Sequence, residues 1–257
     1  SSNIYSLGVG TEKVEKAVKN LFPNANVARM DRDTIKKKGS ILKILKDLKN
    51  KTIDILVGTQ MIAKGHDYSN ITLVGVICAD LGLNFPDFRA GEYTFQTLAQ
   101  VAGRAGRGSA PGKVILQTYN PQHFSILSAK DHDFLSFYNK EAGFRKTLKY
   151  PPFSKMIQIK ISGKDKKKAE KLARDMGESC KALTKNNRYF FQNVEIMGPI
   201  EAFVSRVANK YRWQILLKSP NTEPLHKLVK KLMHENSGMF NKKNIQVVVD
   251  VDPVFMM

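Results

Sequence analysis

Along the first 130 residues, short apolar runs alternate with longer segments whose apolar residues recur at helical spacing. The apolar runs predict strands at 4–7, 26–30, 53–57, 71–79 and 113–118. The helical spacing predicts helices at 11–22, from 40 onward and at 92–105, with Thr11 and Ser40 as caps of the first two. This alternation indicates a parallel sheet covered by helices, whose ligands bind beyond the carboxyl ends of the strands.

After residue 130 the order of the predicted elements changes. A helix over 131–148 is ended by Pro151-Pro152, because proline cannot continue a helix. Strand and helix patterns then follow in the order β-α-β-β-α-β, at 156–162, 166–183, 194–197, 213–218, 223–234 and 245–251. That order is typical of the ferredoxin-like, split βαβ plan, whose sheet leaves one face free to bind a partner. We therefore predict an α/β lobe over 4–130, a connecting helix and linker over 131–152, and a smaller α+β domain over 153–257.

The chain is strongly basic, with a net charge of +19 over 257 residues. Both halves contribute: residues 1–149 carry 22 basic and 13 acidic side chains, and residues 150–257 carry 20 and 10. A field of this sign attracts polyanions, of which nucleic acid is the usual one. The alternative is a lysine-rich composition whose charges are simply solvated.

The two cysteines, Cys78 and Cys180, lie far apart and form no Cys-x-x-Cys pair, so neither a disulfide framework nor a zinc site is indicated. No run approaches the roughly 18 apolar residues that a membrane span needs, and no signal-peptide pattern begins the chain. These features favour a reducing cytoplasm and partners other than a membrane.

The segment Gln100-Val101-Ala102-Gly103-Arg104-Ala105-Gly106-Arg107-Gly108 carries the strongest chemical signal. Two arginines three residues apart at a helix end project to nearly the same side. The glycines around them let a phosphate chain approach the backbone, and guanidinium groups match phosphate geometry. In phosphoryl transfer an inserted arginine neutralises charge developing on the γ-phosphate. The alternative is a Gly-Arg loop that only contacts RNA.

A second segment, Gly58-Thr59-Gln60-Met61-Ile62-Ala63-Lys64-Gly65-His66-Asp67, directly follows a predicted strand. Small and hydroxyl residues there suit a turn that faces a ligand. Gly65 permits unusual backbone angles, and Asp67 offers acceptors to a ribose hydroxyl. By itself the segment fits an ordinary βα loop equally well. The interpretation as a ligand-facing turn is strengthened because the segment precedes the arginine segment.

Together the two segments resemble motifs V and VI of superfamily 2 helicases. Further segments of the chain narrow the resemblance to one family, that of the primosomal replication-restart helicases (primosomal protein N′, or PriA). They are Gly8-Val9-Gly10-Thr11-Glu12, Asp31-Arg32-Asp33-Thr34, Lys38-Gly39, Asp80-Leu81-Gly82-Leu83, Pro86-Asp87-Phe88-Arg89, Tyr150-Pro151-Pro152-Phe153, Tyr211-Arg212-Trp213-Gln214 and Asp250-Val251-Asp252-Pro253. The resemblance runs from about residue 7 to residue 253 and identifies the chain as a C-terminal fragment.

The resemblance implies an ATP-driven 3′-to-5′ DNA helicase that recognises abandoned forks and helps reassemble the primosome. Residues 4–130 would be the second of two RecA-like lobes, with ATP in the cleft between them. Arg107 would be the arginine finger, Arg104 a second phosphate contact, and Gln100 would position the nucleotide and the attacking water. Gly65, Asp67 and Gly103 would line the nucleotide.

The resemblance also implies nucleic-acid and protein contacts. Gly10, Thr11, Thr59 and Lys64 would lie near the DNA backbone. The C-terminal domain would bind branched and single-stranded DNA and hold the tail of single-stranded DNA-binding protein. In the family that second role belongs to the segment matching Lys210, Tyr211, Trp213 and Gln214. Lys210 stands in place of a frequent arginine, which keeps the charge but loses the bidentate fork.

Three family features are missing from the sequence: the phosphate loop Gly-x-x-x-x-Gly-Lys-Ser/Thr, the Asp-Glu-x-His magnesium motif, and the paired zinc clusters. We expect all three upstream, so that ATP, Mg²⁺ and zinc belong to the full-length parent and this chain folds without them. We also expect negligible ATPase activity from the chain alone, because an arginine finger without a phosphate cradle has nothing to act on.

Two alternatives stay open at this point. The chain as a whole could be a stand-alone nucleic-acid-binding adaptor without motor activity. Tyr211 and Trp213 share one strand face with Ile215. Those two aromatic residues either pack in the core or form an exposed stacking platform for bases.

Overall fold

A computed structural model describes residues 10–35, 39–59, 71–103 and 111–256. The chain divides into two compact units. Unit 1 contains Ser1–Phe85 and Arg89–Lys140, and unit 2 contains Pro86–Phe88 and Glu141–Met257. Three residues of unit 2 therefore interrupt the sequence of unit 1, a feature that no sequence pattern had indicated.

Unit 1 alternates helices with short strands, as the apolar pattern predicts. Its elements are α1 (Thr11–Leu21), β1 (Val27–Met30), α2 (Ser40–Lys49), β2 (Ile55–Gly58), β3 (Leu73–Val76), a 3₁₀ helix (Ala79–Leu81), α3 (Ala90–Ala102), β4 (Lys113–Leu116), α4 (Phe124–Lys130) and the first half of α5 (Phe134–Thr147). Strand β1 pairs with β2, and β3 with β4, both in parallel. The parallel arrangement of an α/β lobe is thus confirmed, and the strand predicted at 4–7 lies outside the described residues.

The predicted caps of the first two helices are wrong by one residue. Gly10 and Gly39 occupy the cap positions, and Thr11 and Ser40 are the first helical residues. The Thr11 hydroxyl is used elsewhere, as a donor to the carboxylate of Asp31, and so does not cap its own helix. Gly39 has φ +87°, a left-handed conformation that favours glycine at this turn.

Helix α3 supplies much of the core of unit 1. Its Phe95 and Leu98 are buried together with residues of α4 and α5. The ring of Phe95 stacks on that of Phe137, with centroids 4.2 Å apart and planes inclined by 8°. Helix α4 was not predicted. The helix predicted at 131–148 begins instead at Phe134, and its first half belongs to the core of unit 1.

Unit 2 contains the elements of the predicted ferredoxin-like plan. After α5 come β5 (Lys155–Gly163), α6 (Lys166–Lys185), α7 (Arg188–Asn193), β6 (Glu195–Val207), β7 (Lys210–Ser219), α8 (Thr222–Glu235), α9 (Ser237–Phe240) and β8 (Ile245–Val251). The four strands form one sheet in the order β6-β7-β5-β8, and all neighbours are antiparallel. This is the split βαβ arrangement, so the predicted fold of the second domain is confirmed.

Strand β6 is much longer than the predicted strand at 194–197. The pair Gly198-Pro199 reads as a turn in sequence, but in the structure it lies inside the strand, where the pairing with β7 is irregular between Met197 and Ile200. Proline lacks a backbone N–H donor and is tolerated here because β6 is an edge strand that pairs on one side.

The two faces of the sheet in unit 2 differ. One face packs against α6 and α8 in a core that includes Ile159, Ile161, Leu172, Met176, Ile215 and Leu228. On the other face, which we call the open face, a small cluster covers one end of the sheet. This cluster comprises Met156, Leu216 and Met256 with Phe88 and Tyr150 against them. The remainder of the open face carries polar and charged side chains, among them Lys160, Arg212 and Gln214, together with exposed apolar residues such as Ile200 and Val248.

Candidate nucleotide, nucleic-acid and partner sites

The carboxyl ends of β1 and β2 define a candidate site in unit 1. The two strands are in register, with Met30 opposite Gly58, so the residues that follow them, Asp31 and Thr59, lie at the same edge. Helix α1 begins at this edge as well, because Thr11 Oγ1 donates a 2.6 Å hydrogen bond to Asp31 Oδ2. The structure therefore brings together three of the four residues predicted to contact DNA: Gly10, Thr11 and Thr59. The fourth, Lys64, lies outside the described residues.

The carboxylate of Asp31 connects the start of α1 to the end of β1 at this edge. It is 8% exposed and accepts hydrogen bonds from the Thr11 hydroxyl and from the backbone N–H groups of Asp33 and Thr34. Arg29 Nε lies 3.2 Å from its carboxylate. These donors, Thr11 first, lower the pKa of Asp31 to about 2, so the group is ionised at neutral pH. Sequence reasoning did not select Asp31 as a site residue, although an acidic residue directly after a strand is a usable signal.

Because the Thr11 hydroxyl donates to Asp31, the side chain of Thr11 is not available as a donor to an anion. Its hydroxyl proton is already donated, so a phosphate at this edge would be bound by backbone N–H groups. Of the N–H groups in the first turn of α1, that of Lys13 donates to the Gly10 carbonyl oxygen, and those of Thr11 and Glu12 have no acceptor within the helix. The cap residue, Gly10, offers no side-chain acceptor to them. Gly10 and Thr59 are both exposed beside them.

The end of α3 carries the predicted nucleotide residues that the structure describes. Gln100 is exposed in the last turn, and the exposed Gly103 follows the helix. Gly103 has φ −70°, and a Cβ placed on it would lie 3.5 Å from its nearest neighbour, the carbonyl oxygen of Ala99. Neither the backbone angle nor packing against the described residues requires glycine there. Arg104, Arg107, Gly65 and Asp67 lie outside the described residues, so their roles stay predictions.

The predicted partner residues of β7 lie on alternating faces of the sheet. Trp213 is 7% exposed and packs in the core beside Ile215, which confirms the interpretation of core packing for this residue. Tyr211 packs partly against the same core, with the guanidinium of Arg206 5.1 Å from its ring centroid. Lys210 and Gln214 alternate with these residues and lie on the open face.

The open face has a shallow pocket of about 150 Å³ around Gln214. Its polar lining includes Lys160, Ser162, Arg212, Gln214 and Gln246. Lys160 pairs with Asp250 at 2.6 Å, and Lys210 Nζ donates to Gln246 Oε1 at 3.2 Å. The side chain of Arg212 makes no ion pair or hydrogen bond with any residue in the described part of the chain. Sequence reasoning passed over Arg212, although the strand alternation places it between Lys210 and Gln214.

Comparisons with known proteins match both units. Residues 5–109 match the model described as the helicase conserved C-terminal domain, and residues 146–254 match the primosomal protein N C-terminal domain. Replication restart protein PriA of Bacillus subtilis is 40% identical over 261 residues, covering 100% of this chain and 31% of that protein. The Synechocystis protein of the same name is 40% identical over 247 residues, covering 96% and 28%. The Haemophilus influenzae protein is 34% identical over 258 residues, covering 98% and 34%.

The chain belongs to the PriA family of replication restart proteins. It spans about a third of the length of the curated relatives that it matches. The strand-end edge and the end of α3 both fall in the part that matches a helicase C-terminal domain, and the open face falls in the part that matches the family's own C-terminal domain.

The described residues of this family member offer little metal chemistry. No group of three or more histidine, cysteine, aspartate or glutamate side chains in that part of the chain is arranged to hold a metal ion. Cys180 is buried, and burial raises the pKa of its thiol to about 12, which disfavours the thiolate that binds metals. No helix in the described ranges is long and apolar enough to span a membrane.

Replacing Gly103 with alanine tests whether the fold requires glycine at this position or whether close approach of a ligand does. We expect the free energy of unfolding to change by no more than about 0.5 kcal/mol, because the position has an ordinary φ and a methyl group would make only ordinary contacts with the described residues. The matched control is Gly198→Ala. Gly198 has φ +94°, and its Cβ would lie 2.9 Å from the Gln214 carbonyl oxygen, so that change should cost more than about 1 kcal/mol.

Urea denaturation of the two variants measures the difference. A Gly103→Ala protein as unstable as Gly198→Ala would show that the fold itself requires this glycine, and the argument for a ligand would then fail.

Proposed function

We propose that this chain forms the second motor lobe and the C-terminal domain of an ATP-dependent 3′-to-5′ DNA helicase. The whole protein would recognise stalled or abandoned replication forks and restart replication by assembling the primosome. Membership in the PriA family and the match to a helicase C-terminal domain support this proposal. As a bacterial replication protein it would act in the cytoplasm, at the nucleoid.

The observation that carries the proposal is the exposed end of α3. Gln100 and Gly103 are exposed there, and in sequence they lead directly into Arg104 and Arg107. Two guanidinium groups after such an opening suit the phosphates of ATP bound on a first lobe. In this proposal Arg107 stabilises the charge that develops on the γ-phosphate and Arg104 contacts a second phosphate. Gln100 orients the attacking water, and Gly65 and Asp67 face the ribose.

The chain is proposed to contribute to ATP hydrolysis without performing it alone. ATP and Mg²⁺ would be held mainly by the phosphate loop and acidic motif of the first lobe, which this sequence does not contain. Bound Mg²⁺ would neutralise phosphate charge there. The residues present here fit a completing role, because they supply donors and a close approach and no phosphate cradle. The family's zinc clusters likewise belong outside this sequence.

DNA is proposed to bind at the strand-end edge of unit 1. The first-turn N–H groups of α1 point at this edge, next to Gly10 and Thr59. Lys64 would add a charge beside them. The net charge of +19 supplies the long-range attraction for a polyanion. These contacts would be made to the phosphate backbone, so binding would not depend on the base sequence, as a helicase requires.

The partner site is proposed to be the pocket on the open face. The side chain of Arg212 is unpaired among the described residues, and together with Lys210 and Gln214 it suits the acidic tail of single-stranded DNA-binding protein. Trp213 supports this surface from the core. Because Lys210 stands where the family frequently has arginine, we expect weaker binding of a carboxylate of the acidic tail at that position. Other primosome proteins and branched DNA would bind the same domain.

Fork DNA binding by this chain tests the proposal against the alternative of an adaptor without motor activity. We expect affinity to fall by at least about 10²-fold between about 50 and 200 mM salt, the loss that four or more phosphate contacts produce. We also expect Arg107→Ala to leave binding within about twofold of the unchanged chain, because that arginine faces nucleotide. Fluorescence anisotropy with a labelled fork measures both. Loss of DNA binding in Arg107→Ala would contradict the motor role and favour the adaptor.

A further inference from the structure

A buried glutamine, Gln158, lies next to the pocket on the open face of unit 2. It belongs to β5, a central strand of the sheet, and is 1% exposed. Its cross-strand partner on β7 is the apolar Leu216. The side-chain oxygen of Gln158 is buried and has no hydrogen-bond partner among the described residues. Such an oxygen costs free energy that an apolar side chain would avoid, so packing alone does not explain a glutamine there.

The amide of Gln158 is oriented by its surroundings. Its Nε2 donates to the backbone carbonyl oxygen of Met256 at 3.4 Å and to Gln214 Oε1 at 2.5 Å. Because a carbonyl oxygen only accepts, the amide atom that faces Met256 must be the nitrogen. That nitrogen requires an acceptor from Gln214, whose amide therefore turns its oxygen towards Gln158. The nitrogen of Gln214 makes no hydrogen bond with any residue in the described ranges and remains for the pocket that this side chain lines.

The second glutamine of the pocket, Gln246, is oriented in the same sense. Lys210 Nζ donates to Gln246 Oε1 at 3.2 Å, and an ammonium group has no acceptor, so the amide oxygen is the atom that faces it. The guanidinium of Arg212 adds donors only. The pocket thus offers two amide nitrogens and a guanidinium, beside the Ser162 hydroxyl, which can donate as well. An ionised carboxylate, which only accepts, matches these donors better than an amide does.

We propose that Gln158 is a positioning residue of the open-face site, which holds the Gln214 amide with its nitrogen towards the pocket and so makes the pocket selective for a carboxylate. This inference rests on the proposed partner site and supplies the reason for its preference for an acidic chain. Without the buried donor, the Gln214 amide can turn and present its oxygen, which repels a carboxylate. Because Gln158 is buried, it acts through Gln214 and does not touch the partner itself.

The test measures binding of a labelled acidic peptide, with the C-terminal sequence of a single-stranded DNA-binding protein, by fluorescence anisotropy. Gln158→Met keeps the side-chain length and removes the donor, so affinity should fall by about fivefold because the Gln214 amide is no longer preorganised. Gln158→Glu should weaken binding by about tenfold or more, because its carboxylate would accept from the Gln214 nitrogen and turn the Gln214 oxygen to the pocket. The matched control, Gln192→Glu, makes the same charge change at an exposed glutamine of α7 and should stay within about twofold.

Two further readouts distinguish positioning from a merely structural role. In a Gln214→Ala background, Gln158→Met should cause no further loss beyond about twofold, since residues that act through one another are not additive. The unchanged chain should prefer the acidic peptide over the same peptide with asparagine in place of aspartate, and Gln158→Met should reduce that preference. Its urea midpoint should not fall, because the variant also removes an orphaned buried oxygen.

The outcomes separate this inference from the partner site on which it rests. If Arg212→Ala and Gln214→Ala weaken binding but Gln158→Met and Gln158→Glu do not, the positioning role is refuted and the site stands. If the two Gln158 losses persist in full in the Gln214→Ala background, Gln158 does not act through Gln214 and the inference is also overturned. If the chain does not bind the peptide, or Arg212→Ala and Gln214→Ala leave affinity unchanged, both proposals fail. Circular dichroism checks folding, and Gln158→Leu replaces Gln158→Met in the same comparison if the latter does not fold.

Discussion

Arg107→Ala in the full-length protein is expected to lower kcat for DNA-stimulated ATP hydrolysis by about 10³-fold or more. An arginine finger stabilises charge that develops on the γ-phosphate, so its loss is felt in the transition state and much less in substrate binding. We therefore expect KM for ATP and the affinity for fork DNA to change by less than about threefold. Steady-state kinetics with saturating DNA measures the first two quantities, and anisotropy measures the third.

Two further substitutions make this result specific. Arg107→Lys keeps the charge and loses the planar fork, so it should recover only part of the rate. Arg188→Ala removes an exposed arginine at the start of α7 and should leave turnover unchanged. A kcat of Arg107→Ala within tenfold of the unchanged enzyme would remove this residue from the catalytic machinery.

Trp213→Ala is expected to lower the free energy of unfolding of unit 2 by about 3–5 kcal/mol, the usual cost of truncating a large buried aromatic residue. The side chain is 7% exposed and packs with Ile215 against the helices, so its removal leaves a cavity in the core. Urea denaturation followed by circular dichroism measures the change.

Substitutions beside Trp213 separate a core role from a surface role. Trp213→Phe preserves most of the buried volume and should cost clearly less than alanine. Phe203→Ala, at a 61% exposed aromatic residue on β6, should alter stability by no more than about 0.5 kcal/mol. A Trp213→Ala protein of unchanged stability that had lost a partner would favour the stacking platform instead.

Element types were largely readable from the sequence because they follow from local spacing. The strand predicted at 245–251 is β8, Ile245–Val251, and the helix predicted at 223–234 is α8, Thr222–Glu235. Their patterns depend on side chains two to four residues apart. The end of β6 could not be found in this way. A Gly-Pro pair signals a turn locally, and its tolerance inside a strand depends on β6 lying at the sheet edge.

The same division holds for the candidate sites. Residue chemistry and spacing predicted the arginine segment, since phosphate recognition requires those residue types close together in sequence, and the strand-end turn gained support only from its position before that segment. That Trp213 and Gln214 lie on opposite faces of the sheet followed from strand alternation. Which of those faces is buried was decided by helices that pack from elsewhere in the chain.

The sequence by itself therefore determined most of the order of the elements, the two fold classes and the family to which the chain belongs, and it missed helices α4, α7 and α9. Tertiary structure alone decided that Asp31 accepts a hydrogen bond from the Thr11 hydroxyl, that Arg212 lines the open-face pocket, and that Phe88 is stacked on Tyr150. The physical reason is the separation in sequence of the residues that interact. Periodicity is set by neighbouring residues, whereas these contacts join side chains that are distant in sequence and meet only when the chain has folded.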